Sequence, residues 1–249
     1  MGDTPTMEVS LRGGFNATIT YQTAADAVHS GIYGGAIPNA AYELSKLLSR
    51  LYNAQNQVTI PGFSDSVDPI TPAELQNTQP GRLHAQKLLD HIQVKTALTE
   101  PDLDFFAQTG LRPTIQVTGF KSGYIDQGYA NIVPYIAEAR LNFRLVTSQN
   151  PGKILTGFEN WVKANTPPYV TVNMTHNSPH LPIKLDISHP IFAHTQKLLT
   201  DAFGQAPVYH YVGGAIPFVA DIKEILGIDT LLVSLGNDDC NMHGANENF

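Results

Sequence analysis

Between Phe15 and Met174 the chain reads strand, helix, a long irregular stretch, strand, strand, helix, strand, and this order constrains the fold more than any other feature. Phe15, Ala17, Ile19 and Tyr21 alternate with Asn16, Thr18 and Thr20, the period-two pattern of a half-buried strand. Asn39 stands where it can cap a helix over Ala40 to Tyr52, with Leu44, Leu47, Leu48 and Leu51 on one stripe. Thr114 to Phe120 and Ala137 to Val146 read as the next two strands, with Gly123 and Gly128 between them. Pro151 opens a second helix through Lys163 that carries Ile154, Leu155, Phe158, Trp161 and Val162. Pro167-Pro168 ends it, and Tyr169 to Met174 alternates as the last strand. That is the split βαβ order of a ferredoxin-like α/β sandwich, here βαββαβ.

Residues 53–111 are irregular, punctuated by Pro61, Pro69, Pro72, Pro80 and Pro101, with helical pieces at Pro72 to Gln79 and Leu83 to Ile92. Ile60, Phe63, Val67, Leu103, Phe105 and Phe106 give this stretch something to bury, so it reads as an insertion rather than a linker. From about Asp186 the pattern changes. Helices are expected over Pro190 to Phe203 and Ile216 to Leu226, then a buried strand over Thr230 to Leu235. A helix feeding a short apolar strand suggests part of a parallel α/β sheet. The expected organisation is therefore 1–12 as one flank, 13–185 as a small α/β domain with its insertion at 53–111, and 186–249 as a segment of a second domain.

Composition excludes some classes. The formal charge of -7 and the lack of any Lys/Arg run argue against nucleic acid as a partner. No apolar run reaches the ~18 residues of a membrane span, and Met1-Gly2-Asp3-Thr4-Pro5 has neither basic flank nor apolar core of a signal peptide. A single cysteine, Cys240, rules out an internal disulfide framework and leans toward the cytoplasm.

The end of the chain carries the first chemical signal. After Thr230 to Leu235 come a turn, Gly236-Asn237-Asp238-Asp239, and the run Cys240-Asn241-Met242-His243-Gly244-Ala245-Asn246-Glu247. A strand that delivers an imidazole into a loop, with a carboxylate four residues on, is a common presentation of a metal-ligand histidine. Yet no H-x-D, H-x-H or H-E-x-x-H pair occurs in the sequence. By itself the pattern is half of a site.

Three further segments give this half a context. They are Leu11-Arg12-Gly13 with His29-Ser30-Gly31-Ile32-Tyr33-Gly34-Gly35 and Pro38-Asn39-Ala40; Gly128 to Pro134 with Ala137-Glu138-Ala139-Arg140 and Asn142-Phe143-Arg144-Leu145-Val146; and Gly213-Gly214-Ala215-Ile216-Pro217 leading to His243. In this order they resemble the C-terminal half of the dinuclear zinc hydrolases that include carnosinase, aminoacylase, glutamate carboxypeptidase and succinyl-diaminopimelate desuccinylase. The HSG-x-YGG run and Pro61-Gly62-Phe63 resemble the dipeptidase-like branch.

The resemblance implies a lid and dimerisation domain over 13–185 and a returning segment of the catalytic domain over 186–249, whose apolar faces should stand uncovered. It implies two zinc ions in the intact enzyme, a small peptide or N-acyl amino acid as substrate, and a homodimer through the lid. The family's bridging aspartate, its H-x-D pair and its paired glutamates lie upstream of the lid and are not in this sequence. A fragment is therefore expected, alone inactive in hydrolysis. The competing class is a dimerising or ligand-binding module without activity.

Residue by residue, the resemblance implies His243 as a zinc ligand and Glu247 as a group orienting its neighbour, although a carboxylate there also reads as plain surface. It implies His29 as a donor to the oxyanion in a partner's active site; from spacing alone a structural hydrogen bond in a glycine turn is an equal reading. Asn131 and Arg144 would contact substrate, Arg144 by clamping a carboxylate, where the bland alternatives are a turn former and a surface salt bridge. Gly213, Gly214 and Ala215 would bring backbone to the substrate carboxylate, with alanine where many relatives carry serine. His176, His180, His189, His194 and His210 receive no role.

Overall fold

The computed structural model describes residues 4–234, 240 and 244–247. His243 and Leu235 lie outside the described residues. Two sheets organise the chain, each with its own apolar cluster.

The larger sheet has the order β4 (Thr114–Ser122), β6 (Ile136–Leu145), β2 (Gly13–Gln22), β7 (Thr171–His176), and every neighbouring pair is antiparallel. With α2 (Ala40–Leu48) and α6 (Pro151–Asn165) joining the strands, this is the ferredoxin-like βαββαβ arrangement expected from the sequence. Alternation decides which face each residue takes. Phe15, Ala17, Ile19 and Tyr21 of β2 and Leu141, Phe143 and Leu145 of β6 are buried under the two helices. Phe15 stacks on Phe143 at 4.3 Å between ring centres, and Phe158 of α6 meets Phe143 edge-on at 4.8 Å. Such pairs contribute about 0.5–1.5 kcal/mol each beyond burial. The Asn39 carboxamide accepts from Ala41 and Tyr42 at the start of α2, and Asn150 accepts from Lys153 at the start of α6. A short ribbon of β3 (Val28–His29) and β5 (Ile132–Val133) extends one end of this domain, followed by the single turn α1 (Ser30–Tyr33).

The second sheet is centred on β1 (Thr6–Leu11). Strand β9 (Val208–Val212) runs parallel along one edge, while β8 (Ile183–Lys184) and β10 (Leu232–Ser234) pair antiparallel with opposite ends of the strand. The expected parallel sheet is thus limited to β1–β9. Strand β10 is only partly buried and runs against β1. A helix followed by an apolar strand fixes neither the neighbour nor the direction of that strand, so the helix-then-strand order did not determine the pairing. Helices α7 (Pro190–Phe203) and α8 (Pro217–Leu226) flank this sheet and leave apolar side chains in solvent, with Phe218 69% and Ile225 77% exposed.

The insertion divides between the two clusters. Ile60 and Phe63 complete the core under the larger sheet. Helices α3 (Pro72–Thr78), α4 (Arg82–His91) and α5 (Phe105–Leu111) belong to the other side: α3 and α5 pack on β9, and Leu111 joins the second cluster. Gly110 makes the approach possible, since a Cβ there would overlap the Tyr211 carbonyl oxygen. Among the described residues no helix is long and apolar enough to cross a membrane.

Candidate functional site

The residues singled out in the sequence gather at two places. The first is the β3–β5 ribbon, where His29 faces Ile132 in register and the Ser30 N–H donates to the Asn131 carbonyl at 2.9 Å. His29 is exposed, and its Nδ1 accepts the Gly31 N–H at 3.0 Å, capping α1. With Nδ1 as acceptor, the neutral ring carries its hydrogen on Nε2, which makes that atom a donor. The side chains of His29 and Asn131 are both exposed here, beside Ile32 (73% exposed) and the fully exposed Tyr129.

The second place is the junction of the two sheets. The chain enters the larger sheet through Arg12-Gly13-Gly14 and passes back to the second sheet by way of His180, and the backbones of Gly14 and His180 exchange hydrogen bonds of 3.0 and 2.9 Å. A side chain at Gly13 would overlap the backbone at His180–Pro182, so these two crossings are closely apposed. Arg144 sits near the end of β6 on the polar face of the sheet, opposite Gly14, with its Nε donating to Asn142 Oδ1 at 2.9 Å. Arg12 reaches the turn after β9. Its Nε donates to the Gly213 carbonyl at 2.7 Å, its backbone N–H to the Gly214 carbonyl at 2.9 Å, and Nη1 to the Arg112 carbonyl at 3.2 Å.

Two positive charges meet at this junction. Burial, and then the neighbouring charge of Arg144, hold the Arg12 guanidinium down to about 10, still protonated at neutral pH. His180 is pushed below the usual imidazole range, first by burial and then by Arg144, against a smaller opposing pull from Asp221. Its Nε2 is buried and lacks a hydrogen-bond partner among the described residues. Among the same residues no carboxylate forms an ion pair with Arg12 or with Arg144. Two guanidiniums close enough to repel, neither in an ion pair among the described residues, favour an incoming anion. Sequence reasoning passed over Arg12 and His180; Arg12 lay within a quoted motif, but nothing in its neighbours signals contact with a turn 201 residues away.

The two places are far apart. Arg144 lies eight residues along β6 from Ile136, which at about 3.3 Å per residue is roughly 26 Å, and the ribbon bearing His29 lies beyond the Ile136 end. The metal loop is the third element. His243 is outside the described residues, Cys240 is buried and Glu247 is exposed. No group of three or more metal-ligating side chains occurs among the described residues, which do not include His243.

A model of the peptidase dimerisation domain family matches residues 9–170, well over half of the chain. The chain belongs to this family. The dimerisation-domain chain is 28% identical to the cysteinylglycine-S-conjugate dipeptidase of Corynebacterium striatum over 98% of its own length and 52% of the relative's. In fold it resembles an M20 family metallo-carboxypeptidase from Sulfolobus solfataricus, with a TM-score of 0.88, 22% identity, and 98% of this chain matched to 55% of that one. It also resembles the di-peptidase Dug1p of Saccharomyces cerevisiae, with a TM-score of 0.83, 20% identity, and 99% matched to 52%. The chain spans about half the length of the curated relatives it matches.

Proposed function

We propose that this chain is the lid and returning catalytic segment of a zinc-dependent peptidase or amidohydrolase that cleaves dipeptides or N-acyl amino acids as a homodimer. The observation that carries this reading is Arg12 on the Gly213–Gly214 turn, with the charge of Arg144 near enough to act on it and neither in an ion pair among the described residues. The names of relatives, a cysteinylglycine-S-conjugate dipeptidase among them, support a dipeptide as substrate.

In this reading Arg144 pairs with the free carboxylate of the substrate, and the backbone N–H groups of Gly214 and Ala215 donate to the same end. Asn131 donates its amide near the scissile carbonyl. His29 holds its Nε2–H toward the carbonyl oxygen as negative charge grows there, a contribution of about 2.7–4 kcal/mol for one well-placed donor. Because His29 and Arg144 stand at opposite ends of the lid, they serve different active sites, and a second copy brings His29 to the first copy's Arg144. Zinc, when bound, supplies the activated water; His243 would be this chain's ligand, with Glu247 orienting its loop. The remaining ligands come from outside this sequence.

Hydrolysis of cysteinylglycine and β-alanylhistidine by the complete peptidase, abolished by a chelator and restored by zinc, is the expected result. The 249-residue chain alone should bind without hydrolysing. Chelator-sensitive turnover by the isolated chain would contradict that division of labour.

A further inference from the structure

Arg12 lies outside the residues assigned to substrate, yet it makes more contacts with the carboxylate turn than any of them. Its side chain takes the Gly213 carbonyl and its main chain takes the Gly214 carbonyl. Peptide units are planar, and no described bond is cis, so each N–H points opposite to the carbonyl of its own unit. The Gly213 carbonyl shares a unit with the Gly214 N–H, and the Gly214 carbonyl shares one with the Ala215 N–H. With both carbonyls drawn to Arg12, both N–H groups are aimed away from it. The turn has little freedom otherwise, because a Cβ at Gly213 would come within 2.9 Å of the Thr109 carbonyl and 3.2 Å of Arg12 Nη2. The third contact, to the Arg112 carbonyl at the end of α5, ties the insertion to the same point.

We infer that Arg12 is a positioning residue that sets the Gly213–Ala215 turn so that its two N–H donors face the substrate carboxylate. The inference rests on the carboxylate reading given above. It assigns the guanidinium a task that lysine cannot fully take over, since two carbonyls from separate segments are held by one planar fork.

The test uses the complete peptidase with Arg12→Met and Arg12→Lys. The kcat/KM values are compared for a dipeptide with a free C-terminal carboxylate and for the same dipeptide as its C-terminal amide. Arg12→Met should lower the acid-over-amide preference by about tenfold or more, with KM raised more than kcat is lowered, and Arg12→Lys should fall between it and the wild type. A folded Arg12→Met protein, checked by its unfolding transition, that keeps the wild-type preference would overturn the inference. If Arg12→Met does not fold, Arg12→Lys decides: an unchanged preference overturns the role and a reduced one supports it. A wild-type enzyme with no preference for the acid would instead remove the carboxylate reading itself, whatever Arg12 does.

Discussion

The hydroxyl of Tyr52 closes on the backbone of a single residue: it donates to the Ile115 carbonyl at 2.7 Å and accepts the Ile115 N–H at 2.9 Å. Ile115 lies on β4, the edge strand of the larger sheet, so the phenol does there what a further strand would do. Tyr52→Phe removes both partners at once. A loss of about 1–3 kcal/mol is expected, read as a lower urea midpoint at unchanged slope.

Gly14 sits at φ +147°, and a Cβ there would overlap the Phe143 carbonyl oxygen. Gly14→Ala should destabilise the chain by about 3 kcal/mol or more, since both the backbone conformation and the β2–β6 pairing oppose it. Soluble yield and denaturant unfolding measure this. A near-wild-type midpoint would mean that the two strands separate more easily than their register suggests.

Stability should fall in mild acid through His210. Burial, with added repulsion from His84, pushes this imidazole down to about 4, and Phe106 packs edge-on against it at 5.4 Å. Unfolded, the same group takes its proton near 6.5. Between these values the unfolded chain binds more protons, so stability is fully present above about pH 6.5 and declines as pH falls toward 4. His210→Phe should reduce the loss between pH 7 and 4.5 by roughly 2 kcal/mol. An acid limb identical in the two proteins would place the sensitive group elsewhere.

Arg144→Met should separate binding from folding. Removing one of two repelling guanidiniums leaves the unfolding midpoint unchanged or higher. In the complete peptidase the same change should raise KM for carboxylate-bearing dipeptides by about 10–100-fold, the worth of a lost charge-assisted hydrogen-bond pair. A destabilised variant with normal KM would recast Arg144 as structural.

What the sequence disclosed follows from how local each signal is. The alternation at Phe15–Tyr21, the Asn39 cap, the Pro151 helix start and the Pro167-Pro168 break act over a few residues, and each appears in the structure close to where the sequence puts it. Strand β9 escaped notice because His210 interrupts Val208-Tyr209-Tyr211-Val212, although Pro207 and Gly213 bound the run as strand punctuation does. The ribbon β3–β5, two residues a side, is shorter than any periodicity can register. The antiparallel placement of β10 and the docking of α5 on β9 depend on contacts between distant segments. So does the reach of Arg12 to Gly213. Motif resemblance singles out His29 and Arg144, but their separation becomes visible only once Ile136 and Arg144 are placed on one strand.

The most direct test of the account is complementation between two copies. The complete peptidase carrying His29→Ala is mixed, under conditions that exchange subunits, with the same protein carrying Arg144→Met. If His29 serves the partner's site and Arg144 its own, each mixed dimer contains one intact site, and activity should rise well above the sum of the two variants. A mixture that exchanges subunits yet shows only the sum would contradict the division of the site between two chains.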